Sequence, residues 1–226
     1  MKILQMIGNV AIATSIVTVA AIVSPMSAKA VSFTFNNIAG GDTVGDGLNG
    51  FLSMDVTASG SGVLFKFNID ANNTATSSFI RTVFIDGSTS LLGNPTTVDS
   101  GNVGFTGKLG NDKLPQWNNL SPNFTTDYVF EANNGNGNFF AIQSGESLGV
   151  LFGGANFNNV ISAINGGSLR VGYHLQGLPN GGSDSYVNNP NIPTPRPVPV
   201  PGLLLGVMAA GALGGKRLLK SKKQAV

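Results

Sequence analysis

The sequence predicts a mostly β protein: an antiparallel β-sandwich or jelly-roll-like domain with one short helix, between an N-terminal signal peptide and a C-terminal membrane helix. Three observations lead to this prediction. Short segments of alternating apolar and polar residues recur between positions 31 and 187, separated by clusters of Asn, Gly, Ser and Asp, as in antiparallel sheets. Uncharged stretches stand near both ends of the chain. A hydrophobic share of 42% over 226 residues is enough to bury a core.

The clearest alternation lies in the segment 63–70. Its apolar residues at positions 63, 65, 67 and 69 share one face, and its polar residues at 66, 68 and 70 share the other. This pattern predicts a strand with one buried and one solvated face. Similar segments are Ser32 to Ile38, Leu52 to Ala58, Phe79 to Asp86, Tyr128 to Ala132, Leu148 to Phe152 and Leu169 to Gln176.

One segment has the spacing of a helix. Asn156 is a suitable N-cap, and apolar residues follow it at positions i, i+3, i+4 and i+7. Gly166 stands where a left-handed residue would end the helix. We expect this helix to cover an open end or a face of the sandwich. Its apolar residues are Phe157, Val160, Ile161 and Ile164.

The first 30 residues predict a secretory signal peptide. Lys2 supplies a positive start, and a long uncharged stretch follows. The small residues Ala28 and Ala30 form an A-x-A site for signal peptidase, which places Val31 at the mature N-terminus. The alternative is an uncleaved N-terminal membrane helix. The protein is therefore expected to be exported.

The C-terminal region has three parts. Residues 188–201 are rich in proline and predict a stiff, extended spacer. Residues 202–215 carry no charge and would form a helix of about 21 Å, shorter than a hydrocarbon core of about 30 Å. Residues 216–226 are basic and would stay on the cytoplasmic side. The alternative is a buried C-terminal helix of the domain.

A Pro-x-Pro element, a glycine-containing apolar helix and a basic end in this order resemble the PEP-CTERM type of sorting signal, which exosortases read. In that family the helix holds the preprotein at the membrane until the sorting enzyme acts near the proline motif. Neither 193–195 nor 199–201 has the glutamate of the usual Pro-Glu-Pro, a departure similar to cyanobacterial variants. The resemblance implies a sorting signal at Pro199, Pro201, Gly202, Lys216 and Arg217.

The middle of the chain also resembles cyanobacterial exosortase-dependent surface proteins. The resemblance rests on residues 145–152 and on residues 169–177, which Gly-Ser-Asp-Ser follows at 182–185. It implies a non-catalytic protein of the cell surface or extracellular matrix, held at the membrane before processing. Its partners would be signal peptidase, an exosortase-like enzyme, the membrane and extracellular polysaccharide. The family has no assigned reaction.

Composition excludes several other functions. Without cysteine, the chain can form no disulfide, thiolate metal site or cysteine nucleophile. Between positions 31 and 201 there are six basic and 11 acidic residues, a net charge of −5. Because a nucleic-acid binder needs a basic surface on its folded part, we expect no nucleic-acid partner.

Catalytic patterns are weak. His174, the only histidine, falls on the polar face of its predicted strand, with Ser183, Asp184 and Ser185 nearby in sequence. A Ser/His/Asp triad is conceivable, but no G-x-S-x-G turn presents a nucleophile. We therefore interpret His174 as a polar-face residue and predict no catalytic residue.

A pair of carboxylates for glycoside hydrolysis is the other catalytic option. Asp127 and Glu131 alternate onto one face of a predicted strand, but their backbones would be about 13 Å apart. Carboxyl groups that cleave glycosides lie about 5 to 9.5 Å apart. This pair therefore predicts a solvated edge, although Glu146 could still approach either residue in the fold.

A calcium site is a further alternative, in the segment 40–47. Asp42 and Asp46 stand there among glycines, and calcium binds carboxylate and carbonyl oxygens. The segment lacks the alternating oxygen ligands of an EF-hand, so a structural turn is favoured. We predict no other cofactor or metal.

Two functions remain. The first is a non-catalytic surface or matrix protein whose sandwich contacts polysaccharide, another copy of itself or an envelope partner; the sorting signal, the few charges and the Asn-rich loops favour it. The second is a secreted lectin-like sugar-binding protein or glycan hydrolase, in which Trp117 stacks on a sugar ring and His174 contacts the ligand. For Trp117 the alternative is a plug over the sandwich edge.

Overall fold

The protein folds into a mostly antiparallel β domain, as the sequence predicts. The computed structural model describes residues 30–72, 77–98, 102–110, 112–133 and 140–188. The predicted signal peptide up to Lys29, the predicted spacer after Asn188, the C-terminal helix and the basic tail lie outside these residues. None of the helices in the described ranges is both long and apolar enough to cross a membrane.

Ten strands and two α-helices make up the described domain. The strands are β1 (Ala30–Asn37), β2 (Leu52–Ser59), β3 (Gly62–Ile69), β4 (Phe79–Asp86), β5 (Pro95–Val98), β6 (Phe105–Leu109), β7 (Tyr128–Ala132), β8 (Ser147–Gly153), β9 (Arg170–Leu178) and β10 (Gly182–Asn188). The α-helices are α1 (Thr89–Leu92) and α2 (Phe157–Asn165), and short 3-10 helices occupy Gly45–Phe51, Trp117–Asn119 and Pro179–Gly181.

All seven predicted strands are present, with ends that differ by at most two residues. Three further strands, β5, β6 and β10, were not predicted. Each of them is antiparallel to its neighbour, so the sheet is antiparallel throughout.

The strands follow one hydrogen-bonded order, β5-β8-β3-β2-β1-β10-β9-β4-β7-β6. Strand β1 joins the two halves, because residues 30–34 pair with β2 and residues 35–37 pair with β10. The halves then face each other. Phe67 of β3 meets Tyr173 of β9 with ring centroids 6.0 Å apart, and Phe152 of β8 meets Tyr128 of β7 at 5.5 Å.

The main core lies between these halves and is rich in aromatic side chains. The predicted alternation of β3 is confirmed, since its residues at 63, 65, 67 and 69 are buried. All three tyrosines of the chain are fully buried, and each hydroxyl donates to a backbone carbonyl, as a buried polar group requires. The acceptors are Gly93 O for Tyr128, Ser53 O for Tyr173 and Gly45 O for Tyr186.

Helix α2 is present where the sequence predicts it. The Asn156 side chain accepts a hydrogen bond from Asn159 N at 3.1 Å, and Val160 and Ile164 are buried against the main core. The predicted C-terminal glycine was wrong by one position. Gly166 has a right-handed φ of −81°, whereas Gly167 adopts φ +71°.

A second, smaller core lies on the opposite face of β4, β7 and β9. It forms because the segment between β6 and β7 crosses this face. Leu114 of that segment sits against Gly172, where an added Cβ would lie 2.6 Å from a Leu114 methyl carbon. A side chain at 172 would therefore displace the segment. The buried members of this core are Ile38, Phe84, Leu114, Phe124 and Val129.

Arg170 binds the segment between β6 and β7, called the covering segment below, to the sheet. Its guanidinium forms an ion pair with Asp86 and donates to the carbonyls of Pro122 and Asn123. It also lies over the Phe124 ring, 5.2 Å from the centroid. Because the guanidinium is mostly buried, these contacts act together to hold the loop.

Candidate functional site

A row of polar side chains crosses the outer face of five neighbouring strands, on the side away from the main core. The register pairs Thr106 of β6 with Glu131 of β7, Glu131 with Thr82 of β4, Thr82 with His174 of β9, and His174 with Ser185 of β10. Directly paired residues project from the same face of a sheet. These five residues are called the polar row below.

His174 lies in this row, as its alternation predicts. It is half-buried, while Val171, Tyr173 and Leu175 of the same strand are buried in the main core. Burial lowers the pKa of the imidazole from its ordinary value of 6.5. Its neutral form is therefore favoured, and each nitrogen can serve a different hydrogen-bonding role.

The residues considered for a triad are only partly brought together. Ser185 is the cross-strand neighbour of His174, and no hydrogen-bond partner is found for its buried Oγ in the described part of the chain. Asp184 pairs instead with Leu175 and so projects from the opposite face. His174 therefore lacks the Asp184 carboxylate that would orient it in a triad.

The lowered pKa of His174 predicts a measurable pH dependence of stability. A histidine with a lower pKa in the folded state contributes stability that is present above its unfolded pKa and is lost as the pH falls through the folded one. We expect the free energy of unfolding of His174→Gln to decrease less than that of the wild type between about pH 7 and 5. Urea unfolding across this range measures the difference. Parallel profiles for the two proteins would contradict the prediction.

The carboxylates considered for glycoside hydrolysis have structural partners. Asp127 Oδ2 accepts from Gly87 N at 2.9 Å, and Glu131 Oε1 lies 3.8 Å from Arg81 Nη2. Glu146 Oε2 accepts from Gln143 N and closes its own turn. Asp127 thus holds a loop and Glu146 a turn, while Glu131 belongs to the polar row.

The glycine-rich segment 40–47 surrounds a carboxylate that the sequence did not connect with it. Asp184 is almost fully buried, and a Cβ at Gly41 or Gly45 would collide with its carboxylate. Asp184 accepts from Asn37 Nδ2 at 2.5 Å and from Ser185 N. Its pKa is raised, mainly by burial and further by the charges of Asp46 and Asp42. The glycines at 41 and 45 therefore make room for a buried acid.

The calcium alternative at Asp42 and Asp46 stays a prediction. Asp42 Oδ1 accepts from Val44 N at 2.9 Å, which is a local turn contact. In the described ranges, no three carboxylates or imidazoles are grouped as metal ligands would be.

Trp117 lies in the covering segment and packs, partly buried, against the second core. The Lys113 ammonium stands over its ring, 4.4 Å from the centroid. A sugar stacking on that face would have to displace the lysine. This position fits the plug that the sequence offered as the alternative.

A groove at the end of the polar row contains groups that the sequence did not single out. It has a volume of about 210 Å³ and is lined by Thr106, Lys108, Glu131, Ala132 and Asn133. The Thr106 hydroxyl donates to Asn133 Oδ1 at 2.5 Å, and Lys108 Nζ lies 2.7 Å from Asp112. We call it the β6–β7 groove. It was missed because β6 was not predicted.

Comparisons of the chain with protein families, with curated proteins and with solved structures find no match.

Proposed function

We propose that this chain is an exported protein of the cell surface or extracellular matrix, whose β domain acts by binding and not by catalysis. One observation supports the second part most strongly. Acidic side chains of the domain are engaged in holding its structure, which leaves them poorly placed for proton transfer. Asp55 accepts from Ser32 and Asn68, Asp86 pairs with Arg170, Asp127 accepts from Gly87, and Asp184 accepts from Asn37 and Ser185.

Export and surface retention rest on the two ends of the chain. Residues 1–30 have the features of a signal peptide, and residues 188–226 have the spacer, apolar segment and basic end of a PEP-CTERM-like sorting signal. Signal peptidase and an exosortase-like enzyme are the partners in this proposal. The membrane holds the chain until the tail is processed.

A jelly-roll-like sandwich is the fold we propose for the domain. Its support is the exchange of β1 from one half of the sheet to the other and the facing of the two halves across an aromatic core. The segment between β6 and β7 covers part of one outer face, and the rest of the outer surface is left for contact with partners.

The mature N-terminus should be Val31. Cleavage after Ala30 would remove only the first residue of β1, and Val31 would still pair with Val56 of β2. Mass spectrometry of the exported protein should find no peptide that precedes position 31. Exported protein that begins at Met1 or Lys2 would contradict the proposal and favour an uncleaved N-terminal helix.

Carbohydrate binding is the second candidate function. The specific observation that favours it is the β6–β7 groove at the end of the polar row, because its hydroxyl, amide, carboxylate and ammonium groups can together pair with sugar hydroxyls. Trp117 supports it less, since Lys113 covers one face of the ring. Glycan hydrolysis is less favoured because Asp127 and Glu146 are held in backbone contacts.

A further inference from the structure

The β6–β7 groove has the chemistry of a site for one unit of a polysaccharide. We propose that it binds a neutral sugar residue within a longer glycan chain. This inference rests on the proposed surface function and gives it a location and a ligand class.

The groups that line the groove match the hydroxyls of a sugar. Glu131 offers a carboxylate that accepts two hydrogen bonds, and Lys108 offers an ammonium that donates. The Thr106 hydroxyl donates to Asn133 Oδ1. This bond fixes the orientation of the Asn133 amide, whose Nδ2 can then donate to a ligand. Adjacent hydroxyls of a sugar ring both donate and accept, so they need such a mixture of partners.

The charges of the groove are balanced, which favours a neutral ligand. Lys108 is paired with Asp112 at 2.7 Å, and Glu131 lies 3.8 Å from Arg81. An anionic polymer would meet the Glu131 carboxylate as well as the Lys108 ammonium. Both members of the Lys108–Asp112 pair are about half exposed. Exposed ion pairs contribute little stability, so these side chains can turn toward a ligand.

The size and place of the groove indicate a single unit of a longer chain. Its volume of about 210 Å³ is below the range of about 300–1,000 Å³ for sites that enclose a drug-sized ligand. Strand β6 is the last in the hydrogen-bonded order, so the groove is at an edge of the sheet. Beyond Glu131 the next member of the polar row, Thr82, is buried, so the groups that can bind the sugar are those that line the groove.

The test is a binding titration with the full-length chain in detergent. The probes are maltohexaose, cellohexaose and dextran as neutral glycans, and polygalacturonate as an acidic one. At least one neutral glycan should bind, and Glu131→Ala and Lys108→Ala should each weaken it about tenfold or more, as expected when hydrogen bonds to charged groups are lost. Glu131→Gln keeps the size of the side chain and should also weaken binding.

The matched control is Lys66→Ala. Lys66 is an exposed lysine on the outer face of β3, in the other half of the sheet, and its loss should leave binding unchanged. Circular dichroism of every variant checks that the domain is folded. Any variant that fails this check is replaced by Asn133→Asp, which retains the side-chain shape and should also weaken binding.

Four results would overturn the proposal. They are no binding of any neutral probe, binding that survives all three groove variants, loss of binding only in a further variant, Trp117→Ala, and binding of polygalacturonate alone that depends on Lys108 but not on Glu131. The third would place the site on the covering segment, and the fourth would make the groove an anion site. None of them changes the position of the mature N-terminus, so failure here is distinguishable from failure of the proposed export.

Discussion

Replacing Phe67 by aspartate should unfold the β domain. Phe67 is fully buried, and its ring meets Phe65 and Tyr173 with centroid distances of 6.3 and 6.0 Å. Loss of a buried phenylalanine side chain alone costs about 3–5 kcal/mol, and an unpaired carboxylate in the core adds a further desolvation cost. Domains are stable by only about 5–15 kcal/mol in total. The change should therefore abolish the cooperative unfolding transition.

The matched control for Phe67→Asp is Thr34→Asp. Thr34 is exposed on β1, so the same new charge enters water and not the core. Circular dichroism with urea unfolding should give the β spectrum and a transition for Thr34→Asp, and neither for Phe67→Asp. A folded Phe67→Asp variant with near-normal stability would contradict the packing of the two halves of the sheet against each other.

Deleting residues 202–226 should release a folded domain into the medium. In the described part of the chain, both cores are built from residues between Val31 and Val187, and the deletion removes none of these side chains. It does remove the predicted membrane helix and the basic end. Fractionation of cells and medium, followed by circular dichroism of the released protein, measures the effect. An insoluble deletion variant would mean that the segment belongs to the folded domain.

Neutralising the basic end should have a smaller effect than deleting the tail. The apolar segment could still enter the bilayer, but the positive charges that keep its end in the cytoplasm would be lost. The variant should therefore remain partly associated with the membrane. Equal release of both variants would contradict the role assigned to the helix. The residues to replace are Lys216, Arg217, Lys220, Lys222 and Lys223.

The sequence predicted the strands rich in apolar residues, both where burial alternates, as in β3, and where residues of both faces are buried, as in β4 and β7. In β3 the apolar residues at odd positions all enter the core, and β4 and β7 begin and end where the pattern does. The reason is that a strand with one face in the core must alternate in polarity, since successive side chains point to opposite faces. Helix α2 was predictable because its apolar residues recur with the period of a helix and so share one buried face, and because Asn156 is a suitable N-cap.

Strands β5, β6 and β10 could not be read from local pattern because partners far away in sequence stabilise them. Strand β5 is four residues long and begins with Pro95, and β6 contains Gly107, which lies against the Phe130 ring. Strand β10 begins Gly-Ser-Asp-Ser, a composition typical of a turn. Its pairing with β1 and β9 overrides that local preference.

The sequence predicted on which face of its strand a candidate site residue lies, but not which residues of other strands lie beside it. Alternation put His174 on the polar side of β9, but its neighbours Thr82 and Ser185 come from strands that are distant in sequence or unpredicted. The burial of Asp184 among the glycines at 41 and 45 depends on the packing of two segments about 140 residues apart. No local motif signals such a contact.

The most direct test of a surface protein sorted through its tail is the intact mass of the protein recovered from the cell surface. In the wild-type cell the chain should begin at Val31 and should have lost its tail near residues 199–202. In a cell without the sorting enzyme, a longer, membrane-held form that retains residues 202–226 should accumulate. Surface protein that keeps these residues in both cells would contradict sorting by cleavage and would make the segment a permanent membrane anchor.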